Sequence, residues 1–182
     1  QSKILHAWKA GPQTVALRQQ LESMKDGGTY AIAIPKAPYR CPPGPYERAC
    51  LVADLLKTRF GSGTASKVIV LDENASIQAE VDNFTYAFGT LHRSVIDYRP
   101  GISGIAINPD TKVVTYVDAL KTTQTINAQV VNPIVPQRAN GSSAGGWLHN
   151  AGLNNSKDAS GNPDGRWCLV DVLSYESTAA AG

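Results

Sequence analysis

Tyr30-Ala-Ile-Ala-Ile-Pro35, then Pro38-Tyr-Arg-Cys-Pro-Pro-Gly-Pro-Tyr46, then Leu51, Val52, Leu55 and Leu56 ahead of Phe60-Gly61 are the consecutive stretches that decide the fold. The first is a short apolar run of strand type. The second is a loop dominated by proline, and the third has the spacing of a helix that stops at a glycine. Working outward, Val15, Leu17, Leu21 and Met24 recur at helical spacing and predict a helix over 12–25, ended by Gly27-Gly28. Downstream, Lys67-Val-Ile-Val-Leu-Asp72 reads as a second strand, 76–91 as a third helix and 95–98 as a further strand. The period then changes. Residues 104–108, 112–117 and 123–126 read as an antiparallel meander with Asn108-Pro-Asp110 at a turn, and 129–134 as a last strand. Alternating strand and helix followed by a small β-meander predicts an α/β fold of the Rossmann-like type.

Composition sets the outer bounds. With 182 residues, 42% hydrophobic and 18% charged, the chain is long enough for one well-buried domain or a domain plus an appendage. A formal charge of +2, with Lys and Arg scattered, does not point to nucleic acid. No apolar run reaches the ~18–20 residues of a membrane span. The start, Gln1-Ser-Lys-Ile-Leu-His6, has no signal-peptide core. Three cysteines suggest one pair plus a leftover thiol, in an oxidising compartment or in a catalytic pair. His6, His92 and His149 are dispersed, so no metal site is expected.

The turn after the first strand is where a dinucleotide-binding unit carries Gly-x-Gly-x-x-Gly, whose glycines let the backbone approach the pyrophosphate. Here Arg40-Cys-Pro-Pro-Gly-Pro-Tyr-Glu47 takes that place. Three prolines remove backbone donors, so NAD is not expected at this turn. The loop does offer Cys41 just before a helix start, where thiolate is favoured, with Glu47 able to handle a proton nearby. An inert loop cysteine and a helix-start carboxylate are the alternative. Asp72, at the end of the second strand, imitates a ribose-binding acid, but without the glycine turn it reads as a loop carboxylate.

Several motifs resemble one family in order. His6-Ala-Trp-Lys-Ala-Gly11, Arg40-Cys-Pro-Pro-Gly-Pro-Tyr-Glu-Arg48, Val135-Pro-Gln-Arg-Ala139, Ala151-Gly-Leu153 and Gly165-Arg-Trp-Cys-Leu-Val-Asp171 with Tyr175-Glu-Ser177 resemble the flavoprotein subunits of flavocytochrome c sulfide dehydrogenase. The resemblance covers nearly the whole chain, and the cysteine loop is its most specific part. It implies the middle domain of the glutathione-reductase-like, FAD-dependent disulfide oxidoreductase fold. Residues 1–11 would be an incoming segment from the FAD domain, 12–128 the NADH-domain-like middle domain, and 129–182 an arm returning toward the FAD domain.

By the same resemblance, Cys41 and Cys168 form a redox disulfide beside the flavin and Glu47 is an active-site carboxylate. Trp8, Lys9, Pro136 and Gln137 border the flavin, with hinge packing between domains as the alternative. FAD is the implied cofactor and sulfide the substrate. A c-type cytochrome subunit is the electron-accepting partner, and the compartment is the bacterial periplasm. A sulfide:quinone reductase differs only in its acceptor. A non-enzymatic module with a structural disulfide is a further alternative, since closing so long a loop restricts the unfolded chain by about 4–5 kcal/mol in the entropy model. Cys50, Val135 and the insertions near 140–146 and 154–164 depart from the family pattern. The motifs that hold FAD in the family lie outside the matched region, so the chain reads as a fragment, needing the remaining FAD-binding portions of the same protein.

Overall fold

The computed structural model describes residues 3–158 and 160–180. Parts of the first motif-bearing segment (Gln1, Ser2), of the 154–164 insertion (Ala159) and of the final Ala-Ala-Ala-Gly stretch lie outside the described residues. The chain divides into two compact units, Gln1–Val135 and Pro136–Gly182.

In the first unit the elements run α1 (Pro12–Glu22), β1 (Thr29–Ile34), α2 (Gly44–Phe60), β2 (Lys67–Asp72), α3 (Val81–Tyr86) continued by a π-helical turn (Ala87–Leu91), and β3 (Ile96–Arg99). The meander follows as β4 (Ser103–Ile107), β5 (Val113–Val117) and β6 (Thr123–Asn127), and β7 (Val130–Pro133) closes the unit. The main sheet is parallel with order β3-β2-β1-β7, and the second is antiparallel with order β4-β5-β6. The chain therefore steps outward from β1 to β3, then crosses back to β1's other side. That reversal is the topological switch at which α/β sheets bind their ligands, beyond the carboxyl ends of the strands.

Both faces of the parallel sheet are covered, which explains why its strands read as unbroken apolar runs. Tyr30, Ile32 and Ile34 of β1 with Val68 and Val70 of β2 join the core that packs α2. The intervening Ala31, Ala33, Ile69 and Leu71 join a second core with Val114, Tyr116 and Ile126 of the meander. One period-two alternation thus feeds two cores.

Two boundaries differ from expectation. The predicted helix over 76–91 begins only at Val81, because the Gln78 amide is bonded to the Tyr46 hydroxyl at 3.1 Å and Glu80 takes a left-handed φ of 50°. The last strand belongs to the compact sheet, paired with β1, rather than to a returning arm that starts at 129.

Among its described residues, the second unit has one short helix, α4 (Trp147–Asn150), and two isolated bridges, Lys157 to Pro163 and Val170 to Ser177. Leu148 is its buried apolar residue, at 5% exposure. Its order comes from polar turns. The Ser156 hydroxyl donates to Asp164 and accepts from the amides of Arg166 and Trp167 at 3.0 and 2.8 Å.

Candidate functional site

β1 delivers the chain to the switch point, and the loop that follows carries Cys41. The thiol-bearing residue is exposed and has a φ of +59°, a left-handed conformation that non-glycine residues rarely adopt. The Cys41 carbonyl accepts the Gly44 amide at 3.0 Å, and the Tyr39 hydroxyl donates to the Pro42 carbonyl at 3.2 Å. α2 starts at Gly44 with Pro43 as its cap residue. Pro42, Pro43 and Pro45 have no N–H, and that of Gly44 is engaged by Cys41. The donors that would cradle a pyrophosphate at such a turn are therefore missing or spent.

Two anchors hold this loop, one buried and one half-buried. Tyr46 is fully buried and donates through its hydroxyl to Asp72 at 2.8 Å. Asp72, also fully buried, accepts the Tyr98 hydroxyl at 3.0 Å and the Asn74 backbone and side-chain amides at 2.9 and 2.8 Å. Asp72 is thus a hub at the carboxyl ends of β2 and β3 rather than a loop carboxylate. Burial, then hydrogen bonding to Tyr39 and Asp72, pushes the Tyr46 phenol far above its ordinary value, so it stays a neutral donor.

The second anchor is Arg48, one turn into α2. Its guanidinium donates to the His6 carbonyl at 3.0 Å, the Ala7 carbonyl at 2.8 Å and Asn132 Oδ1 at 2.8 Å. The same Asn132 oxygen accepts the Tyr30 hydroxyl at 2.9 Å. Burial lowers the Arg48 pKa, opposed by Tyr30. This clamp brings the incoming segment across the start of α2. The Arg48 guanidinium stacks 4.9 Å from the Trp8 ring centroid, and Trp8 Nε1 donates to the Arg40 carbonyl at 3.3 Å. A Cβ added at Gly44 would lie 2.7 Å from Trp8 Cη2 and 3.1 Å from Cys41 Sγ. The indole edge, the Gly44 backbone and the Cys41 thiol therefore converge on one spot, and Gly44 is glycine because a side chain would not fit there.

Glu47 is exposed in the first turn of α2 and Lys9 is exposed beside Trp8. The charge of Glu47 is felt by Cys50, a half-buried thiol whose pKa is raised by burial first and by Glu47 second. In the second unit, Cys168 is half-buried and its Sγ lies 3.5 Å from Ser177 Oγ. Pro136 is exposed, and the Gln137 carbonyl accepts Arg166 Nε and Nη2 at 2.9 and 2.6 Å. Cys41, Cys50 and Cys168 are free thiols in this structure. Sequence reasoning assigned no role to Tyr46, Arg48 or Asn132. The first two lie inside the cysteine motif, which is the signal that marked them.

Residues 14–136, more than half of the chain, match the family described as "Sulfide dehydrogenase [flavocytochrome c] flavoprotein chain, central". The chain belongs to that family. Among solved structures, the chain is similar to the sulfide:quinone oxidoreductase of Aquifex aeolicus. The TM-score is 0.54 at 19% identity, covering 87% of this chain and 38% of that one. It is also similar to a chain of the Tetrahymena thermophila mitochondrial ATP synthase, with a TM-score of 0.56 at 13% identity, covering 91% and 37%. At such identities the likeness is one of fold. It supports the expected α/β architecture, a parallel sheet with a small antiparallel one. The chain spans less than two fifths of either solved chain.

Proposed function

We propose that this chain contributes the thiol half of a flavin-dependent sulfide dehydrogenase, with Cys41 and Cys168 alternating between a disulfide and a persulfide–thiolate pair. The observation that carries the reading is Cys41 itself. It is an exposed thiol in a left-handed backbone conformation, at the switch point of the sheet, in a turn that prolines have closed to a nucleotide. Family membership supports sulfide as the substrate and FAD as the cofactor.

In the proposed step, hydrosulfide attacks one sulfur of the Cys41–Cys168 disulfide. An S–S bond forms to that cysteine as a persulfide, and the original bond breaks to leave a thiolate on the other. Sulfide sulfur is oxidised and the disulfide reduced, with no atoms lost. Glu47, exposed in the first turn of α2, takes up the proton when hydrogen sulfide is the attacking species. Trp8 walls one side of the thiol. Trp8, Lys9, Pro136 and Gln137 are the residues of this chain proposed to border the flavin. FAD, when bound, supplies the two-electron acceptor. A c-type cytochrome subunit then receives the electrons, in a bacterial periplasm whose oxidising character suits the disulfide. The sulfide:quinone oxidoreductase likeness is one of fold, so a quinone acceptor has no observation of its own.

The test uses the complete, flavin-loaded protein. Cys168→Ser is expected to abolish sulfide-dependent bleaching of the flavin, followed by stopped-flow absorbance. Undiminished bleaching would make the cysteine pair structural and overturn the reading.

A further inference from the structure

We infer that Tyr46 and Asp72 are positioning residues for the Cys41 thiol, acting through the backbone of the 39–46 loop. The inference rests on the redox reading of Cys41. Asp72 stands at the carboxyl end of β2, where an acid in dinucleotide-binding units meets a ribose. Here the group is fully buried and turned onto protein donors instead. Tyr46 bonds to it at 2.8 Å and accepts the Gln78 amide at 3.1 Å. Within the loop, the Tyr39 hydroxyl donates to the Pro42 carbonyl at 3.2 Å.

Tyr46, fixed on Asp72, ends the loop two residues after Gly44, whose amide donates to the Cys41 carbonyl at 3.0 Å, so the anchor acts on Cys41 through this short backbone. A positive φ at a cysteine persists only where the surroundings over-determine it. Releasing the Tyr46 anchor lets Cys41 relax toward the ordinary regions and takes its Sγ away from Trp8 and Gly44. Tyr98 provides an internal control. It donates to the same Asp72 oxygen at 3.0 Å, but it sits on β3, outside the loop.

The test reads alkylation of Cys41 by iodoacetamide across pH in the full chain, first reduced with a phosphine and freed of the reductant, followed by tryptic mass spectrometry. Cleavage isolates Cys41 in peptide 41–48, Cys50 in 49–57 and Cys168 in 167–182, so each thiol reports separately. Tyr46→Phe keeps the ring and removes one hydroxyl. It is expected to change the Cys41 rate by about fivefold and to displace its pH midpoint, leaving Cys50 and Cys168 unchanged. Asp72→Asn is expected to act in the same direction, and Tyr98→Phe to leave the Cys41 profile as it is. The other titratable groups on the segments around the thiol, His6, Lys9, Tyr39, Arg40, Glu47 and Arg48, are common to all variants and cancel. An unchanged Cys41 profile in Tyr46→Phe, or equal shifts in Tyr46→Phe and Tyr98→Phe, overturns the inference. Neither flavin nor sulfide enters the measurement, so failure of the sulfide dehydrogenase reading would show elsewhere.

Discussion

The two units hold their cysteines by different physics. Around Cys41, a parallel sheet with two apolar cores fixes the loop through two anchors, buried Tyr46 on Asp72 and half-buried Arg48 on Asn132. Around Cys168, order comes from polar turns centred on Ser156, Asp164 and Asp171. Val172, Leu173 and Tyr175, just beyond that cysteine, are 79%, 91% and 78% exposed. A core resists deformation because every displaced atom loses contacts, whereas a set of solvent-accessible turns opens at small cost. One cysteine is therefore placed by its own unit, and the other only by local hydrogen bonds.

The sharpest break of this contrast is a paired truncation. Ile32→Ala, at a fully buried position of β1, is expected to cost about 3 kcal/mol in denaturant unfolding. Leu173→Ala, at a nearly fully exposed position, should stay within about 0.5 kcal/mol of the parent. A comparable loss at Leu173 would mean that the second unit has a core of its own.

Next in size, Arg48→Met keeps the aliphatic stem but removes the three hydrogen bonds to His6, Ala7 and Asn132. A loss of about 2 kcal/mol is expected by the same measurement, with faster hydrogen exchange at residues 5–8. Ser156→Ala should cost about 1 kcal/mol, and only within the second unit. Hydrogen exchange would rise at 156–167 while β1 and β2 amides stay protected.

The smallest effect concerns His92, which is 5% exposed with its Nδ1 unpartnered. Burial, then Lys57, lowers its pKa below the ordinary 6.5, with Asp54 opposing. The unfolded chain then binds this proton first as pH falls. The first unit should lose stability below pH 6.5, down to the lowered folded value, and keep it fully above 6.5. His92→Gln should flatten that part of the stability–pH curve. An unchanged curve would remove His92 as its source.

Much of the first unit was legible because its signals are local. β1, β2 and the meander strands announce themselves by apolar runs and turn residues, and α2 by its spacing and its terminal glycine. The helix expected over 76–91 begins only at Val81, because a distant hydroxyl, that of Tyr46, captured the Gln78 amide. The strand at 129–134 was legible as a strand, yet its place beside β1 was not, since pairing partners have no local signature. Asp72 was visible as an acid at a strand end. Whether it faces solvent or three donor residues depends on side chains that come from elsewhere in the chain.

The sequence by itself determined the α/β alternation, the proline-closed turn and the presence of a cysteine in it, because dihedral restriction and missing N–H groups are properties of the residues. Tertiary structure decided that Cys41 sits at positive φ against Trp8 and Gly44, and that Tyr46, Asp72 and Arg48 hold it there. Those are relations among residues 8, 41–48, 72 and 132, and they exist only once the sheet has gathered its strand ends at one edge.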